Sequence, residues 1–154
     1  MTDGISRFVY VTYIRATPEK IWEAFTTPEF QRKFWFGMHQ DSDFRKGSPW
    51  RIVFEDGRTA DSGEILESDP PHRLAIKWRN EFRPELREEG YGHCLMTLEE
   101  DGETTKLTIT HSIERENSKL IEAVSGGWPK ILSALKSLLE TGSVLAITHQ
   151  RAKV

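Results

Sequence analysis

The feature that most restricts the fold is the stretch from Ser125 to Glu140, in which Trp128, Ile131, Leu132, Leu135, Leu138 and Leu139 recur at helical spacing. They form one apolar stripe. Lys130, Ser133, Lys136, Ser137 and Glu140 take the opposite side, and Gly142 supplies a natural stop. The spacing predicts a helix over 130–140, entered through Ser125-Gly126-Gly127-Trp128-Pro129, with one side buried and the other in water. A chain with such a helix must also provide a surface broad enough to receive it.

Residues 49–112 provide that surface as short alternating runs separated by turn residues, the pattern of an antiparallel meander. Asp56-Gly57 and Asp101-Gly102 read as hairpin turns. A loop at Asp101-Gly102 sets Leu98 opposite Thr105, Met96 opposite Leu107, Cys94 opposite Ile109 and Gly92 opposite His111. One face then holds Cys94, Met96, Leu98, Leu107, Ile109 and His111. A loop at Asp56-Gly57 pairs Phe54 with Thr59, Ile52 with Asp61 and Trp50 with Gly63, which puts Asp61 on the face of Trp50, Ile52, Phe54 and Ile65. Leu74, Ile76 and Trp78 alternate in the next strand, and the charged, aperiodic run 80–89 is expected to border an opening.

Residues 5–16 read as a first strand. Thr17-Pro18-Glu19 is a cap, a proline suited to the first helical position and an acid in the first turn, so a helix burying Ile21, Trp22 and Phe25 is expected there. The same signal at Thr27-Pro28-Glu29 starts a second short helix ending near Phe34-Trp35. Segment 114–125, with Asn117 or Ser118 as cap and Leu120, Ile121 and Val124 as apolar side, reads as a short helix feeding the long one. In the tail, 143–154, Val144, Leu145 and Ile147 are able to pack while the end is loose. The order implies one α+β domain over residues 1–154, with its core within about 5–142 and a curved antiparallel sheet of about six to seven strands holding the last helix.

A length of 154 residues fits one domain. The net charge of −3, with Lys and Arg scattered, argues against nucleic acid as a partner. The single cysteine, Cys94, excludes an intrachain disulfide, and neither a signal sequence nor a membrane-spanning apolar run is visible; a cytoplasmic setting is expected. Five Trp and eight Phe must be buried or line something.

Several short motifs carry a family resemblance: Ala16-Thr17-Pro18-Glu19-Lys20-Ile21-Trp22-Glu23-Ala24-Phe25-Thr26, Gly63-Glu64-Ile65-Leu66-Glu67 with Pro70-Pro71-His72-Arg73-Leu74 and Trp78, Leu107-Thr108-Ile109-Thr110-His111, and Gly127-Trp128. In that order they resemble the activator of heat-shock protein 90 ATPase-like family, within the START-like SRPBCC superfamily, over residues 8–141. The resemblance implies the helix-grip fold, with a cavity between sheet and C-terminal helix that in many relatives accepts a hydrophobic small molecule. Fold likeness alone does not fix the ligand.

The expected ligand-binding set is Trp35, Phe36, Trp50, Asp61, Trp78, Met96, Ile109, His111, Trp128 and Ile131. Trp35 and Phe36 sit where the family's cavity mouth lies. Asp61 and His111 are polar groups on an apolar face and need partners, from the protein or from a ligand. Facing one cavity, they would form a proton-transfer pair. The sequence holds no zinc-binding His-Glu-x-x-His, Gly-rich phosphate loop, Gly-x-Ser-x-Gly elbow or cysteine pair, and His39, His72, His93, His111 and His149 lack ligand spacing. A non-catalytic protein without metal or cofactor is expected, binding a small hydrophobic or amphipathic molecule. The resemblance keeps two other readings open: a co-chaperone acting on a heat-shock protein ATPase in the stress response, and a cyclase or dehydratase using the same cavity. A free sheet edge also leaves room for a homodimer.

Overall fold

The computed structural model describes residues 3–146. Its elements, in chain order, are β1 (Ser6–Ile14), α1 (Pro18–Thr26), α2 (Pro28–Phe34), β2 (His39–Asp41), β3 (Pro49–Val53), β4 (Thr59–Asp69), β5 (Arg73–Asn80), α3 (Pro84–Arg87), β6 (Gly92–Asp101), β7 (Thr104–Ile113) and α4 (Lys119–Thr141). The seven strands form one antiparallel sheet in the order β1-β7-β6-β5-β4-β3-β2, with α4 against its inner face. This is the α+β helix-grip architecture.

Local chemistry explains the helical V between β1 and β2. The Thr17 side chain accepts a hydrogen bond from the Lys20 amide, and Pro18 occupies the first turn of α1. Thr27 and Pro28 repeat the arrangement for α2, without a side-chain cap bond. Ile21 and Phe25 are buried as expected, whereas Trp22 is only half-buried. A buried amide network ties the V to the sheet. Gln31 Nε2 and Gln40 Nε2 both donate to the Phe25 carbonyl, and Gln40 Oε1 accepts from Trp50 Nε1 at 2.8 Å.

Both hairpins depart from the expected pairing. The β6–β7 hairpin turns at Gly102-Glu103, with Asp101 paired to Thr104, so Leu98 lies opposite Leu107 and Cys94 opposite His111. Gly102, at φ 63°, takes the first turn position, where a glycine best tolerates positive φ. The register differs from the expected one by two residues, and because side chains alternate with period two, every residue keeps its face. In the β3–β4 hairpin, Ile52 pairs with Asp61 and Trp50 with Gly63 as expected, but a bulge brings Val53 rather than Phe54 opposite Thr59.

The larger change concerns α4, which begins at Lys119 and absorbs Gly126, Gly127 and Pro129 into one helix. Glycine and proline disfavour a helix interior, yet tertiary packing outweighs that preference. Leu120 and Ile121 bury themselves against Leu86 and Ile113 in a cluster separate from the main core. The first turn is also well capped. Ser118 Oγ accepts from the Ile121 amide at 3.1 Å, and the Glu89 carboxylate accepts from the Lys119 amide at 2.8 Å. At the far end Gly142, at φ 81°, closes the helix through its amide to the Leu138 carbonyl. In the tail, Val144 packs on the core and Leu145 is exposed, while Ile147 lies outside the described residues.

A Cβ at Gly126 would meet no atom within 4 Å. Gly126→Ala should therefore stabilise the protein by about 0.5–1 kcal/mol through helix propensity alone, read as a higher midpoint in urea denaturation.

Candidate ligand-binding site

The sheet's inner face carries a row that runs Trp50, Gly63, Trp78, Gly92 across β3 to β6. Large and small positions alternate. A Cβ at Gly63 would lie 1.6 Å from the Lys77 carbonyl oxygen, so no side chain fits there without separating the strands. Over that gap the Trp50 and Trp78 rings close to 4.5 Å between centroids. The adjacent row holds Ile52, Asp61 and Asn80.

Between this part of the sheet and α4 lies a cleft of about 320 Å³. Ile52, Asp61, Trp78 and Asn80 form its floor, and Trp35, Phe36 and Met38 enter from the end of the helical V. Phe82, Arg83 and Leu86 form one lip, and Leu120, Ala123, Val124, Gly127, Trp128 and Ile131 line the wall contributed by α4. The indoles of Trp35, Trp78 and Trp128 make a continuous aromatic surface. The Trp128 ring lies 5.3 Å from that of Trp35 and 5.9 Å from that of Trp78, both edge to face.

Asp61 is buried, at 7% exposure, and its Oδ2 accepts a 2.6 Å hydrogen bond from Trp78 Nε1. Burial disfavours the ionised carboxyl and lifts its pKa to about 7; the Trp78 bond pulls the other way, and nearby Glu81 adds to the rise. His111 is fully buried and accepts from Trp128 Nε1 through Nδ1 at 3.1 Å. An indole nitrogen only donates, so the imidazole proton sits on Nε2, which has no hydrogen-bond partner among the described residues. Burial, with a smaller contribution from His93, depresses the His111 pKa to about 3, which keeps the ring neutral.

Six of the residues singled out from sequence line the cleft: Trp35, Phe36, Asp61, Trp78, Trp128 and Ile131. Trp50, Met96, Ile109 and His111 do not; they are buried in the core. Trp50 is turned toward Gln40 by its N–H, while Met96 and Ile109 pair across β6 and β7 deeper along the sheet. His111 stands behind Trp78 and Trp128, its ring 4.8 Å from the Trp78 ring. Asp61 and His111 therefore bond to two different indoles and do not face one cavity as a pair. The lip falls within the run 80–89, which the sequence marks as bordering an opening without singling out a residue; Phe82 and Leu86, apolar among charged neighbours, are the signal that points to it. Asn80, in the same run, is buried and accepts from the Arg83 amide through Oδ1, which fixes the start of the lip. Cys94 is buried in the core, and burial raises its thiol pKa. Among the described residues no cluster of His, Cys, Asp and Glu has the makings of a metal site. No described helix is long and apolar enough to cross a membrane.

The profile of the family described as Activator of Hsp90 ATPase homolog 1-like protein matches residues 15–140. The chain belongs to that family. Solved structures agree with the fold of this Activator of Hsp90 ATPase homolog 1-like chain. Protein MLL2253 from Mesorhizobium loti is 23% identical and superposes with a TM-score of 0.76 over 90% of this chain and 100% of its own. The Aha1 dimer from Colwellia psychrerythraea is 22% identical, with a TM-score of 0.70 and coverage of 89% and 98%. PFC0360w, an HSP90 activator from Plasmodium falciparum, is 20% identical, with a TM-score of 0.69 and coverage of 86% and 95%. At such identities the likeness is one of fold. No curated protein matches the chain in sequence.

The raised Asp61 pKa has a signed consequence for stability. The folded state holds a proton on Asp61 up to about pH 7, whereas the carboxyl otherwise titrates near 3.8, so Asp61 contributes stability below about pH 4 that is lost as pH rises through 7. Asp61→Asn keeps an acceptor for Trp78 and removes this dependence. Urea denaturation should show the variant gaining on the wild type from pH 4 to pH 8, by on the order of 2–4 kcal/mol. Parallel stability curves would refute the assignment. Taking the difference between the two proteins cancels the opposing effect of His111, whose depressed pKa makes folding less favourable as pH falls below 6.5.

Proposed function

We propose that this protein binds a small hydrophobic or amphipathic molecule in the cleft between α4 and the sheet. The observation that carries the reading is the lining itself: three indoles forming one apolar surface, with a buried carboxyl at its edge that takes a hydrogen bond, among the described residues, at Oδ2 alone. Small-molecule sites typically combine an apolar wall with a few placed polar groups in about 300–1,000 Å³, and this cleft falls at the small end. Trp35, Phe36, Trp78, Trp128 and Ile131 would contact the ligand and Asp61 would orient it. Trp50 and His111 support the Trp78 and Trp128 rings from behind, and Met96 and Ile109 belong to the core rather than to the cleft. A cytoplasmic setting agrees with the free thiol of Cys94.

A second reading, activation of a heat-shock protein ATPase, is favoured by family membership and by the likeness to PFC0360w, which is described as an HSP90 activator. It would use the outer surface rather than the cleft. The likeness to the Aha1 dimer supports self-association as an accompanying property.

Gly127 offers a clean test, because it lines the cleft and a Cβ there would meet no atom within 4 Å. Gly127→Leu should leave the fold intact, with helix propensity improved, while filling the cleft. The expected outcome is loss of N-phenylnaphthylamine fluorescence enhancement at an unchanged or raised Tm. Undiminished dye binding would remove the cleft from consideration. For the second reading, stimulation of a chaperone ATPase by wild type and Gly127→Leu alike would assign that activity to the surface.

A further inference from the structure

We infer that the cleft takes a ligand carrying a protonated amine on an aromatic or aliphatic body, the ammonium docking on the Asp61 carboxyl and the body lying along Trp35, Trp78 and Trp128. This deepens the ligand-binding reading and rests on it.

The argument starts from a missing charge. Asp61 is more than nine-tenths buried and lines the cleft, yet among the described residues the one donor that reaches it is the neutral indole N–H of Trp78. A buried carboxylate is costly unless a cation or several donors compensate it. The cations nearby are engaged by other carboxylates. Arg83, on the lip, donates to Glu85 at 2.9 Å; Arg87 donates to Glu81 at 3.0 Å, and Arg79 also pairs with Glu81. The wall from α4 carries Leu120, Ala123, Val124, Gly127, Trp128 and Ile131, none of them charged. The end of the helical V adds Trp35, Phe36 and Met38, again without charge. From the sheet side, Ile52 and Asn80 flank Asp61 in its row, and His111 behind the indoles is neutral. Glu81 adds negative potential beside Asp61.

The walls point the same way. Indole faces are electron-rich and attract an alkylammonium, while the ring surface accepts an apolar body. A neutral hydroxyl would supply a hydrogen bond to Asp61 without the charge, and an anion would meet repulsion from the Asp61 carboxylate. An amine supplies the counter-charge that the fold omits. Because the free carboxyl is half-protonated near pH 7, docking of a cation must displace that proton in acid, and affinity should rise with pH through neutrality.

Isothermal titration calorimetry with the matched pair naphthylethylamine and naphthylethanol tests this on the full chain at pH 6, 7 and 8. The amine is expected to bind more tightly than the alcohol, its affinity increasing about tenfold from pH 6 to pH 8 as Asp61 ionises, with the alcohol nearly flat. Asp61→Asn should abolish the preference for the amine and retain the alcohol. If that variant does not fold, the wild-type pH profile decides alone. An alcohol that binds as tightly as the amine, or an affinity that rises in acid, would overturn the amine assignment and leave the cleft a ligand site. Binding of neither compound, together with absence of N-phenylnaphthylamine binding, would overturn both.

Discussion

Trp128 is where the three parts of this fold meet. Its indole stacks parallel to Phe25 of α1 at 6.4 Å, meets Trp35 and Trp78 edge to face, and gives its N–H to His111 on the sheet. One side chain on α4 is thus fastened to the helical V by dispersion and to the sheet by a hydrogen bond. A large aromatic buried to 2% exposure contributes several kcal/mol of apolar burial, and here its one polar atom is also satisfied. The arrangement leaves His111 with a buried N–H that has no partner among the described residues, a cost on the order of 1–3 kcal/mol, set against the fixed position of Trp128.

The parts legible in the sequence are those governed by local rules. The cap at Thr17, the helix start after Thr27, the stop at Gly142 and the faces of the hairpin strands all follow from residue type and period. The β6–β7 turn was misplaced because Asp101-Gly102 and Gly102-Glu103 are both acceptable two-residue loops, and only the whole ladder selects between them. The cap at Ser118 and the apolar side of Leu120 and Ile121 are legible, but the expected break between two helices is absent, because the local signals of Gly126, Gly127 and Pro129 against a helix are overruled by burial on residues distant in sequence. The site shows the same boundary. Alternation put Asp61 and His111 on the inner face, but which indole each would bond depends on how Trp78 and Trp128 cross, and no spacing encodes that. Glu89, which caps α4 from the loop between α3 and β6, carries no local mark of its role.

The alternation of Trp50, Gly63, Trp78 and Gly92 gives the cleft its depth. Glycine between two indoles lets neighbouring strands stay at their ordinary separation while the rings lean over the gap, which brings Trp78 Nε1 within reach of Asp61 one row away. The carboxyl sits there because it has a donor, and among the described residues that donor is a single neutral one. Family membership accounts for the fold that frames this position. The character of the position comes from this chain's own side chains.

A single helix also performs two separable tasks. The turns of α4 that follow Ile131 seal the main core, those from Leu120 to Gly127 line the cleft and rest largely on a small cluster of their own, and Trp128 and Ile131 between them belong to both wall and core. The glycine pair marks the transition. Substitutions at Ala123 or Gly127 therefore reshape the wall without removing a side chain of the main core, so a lineage can change what the cleft accepts there without first having to gain stability elsewhere.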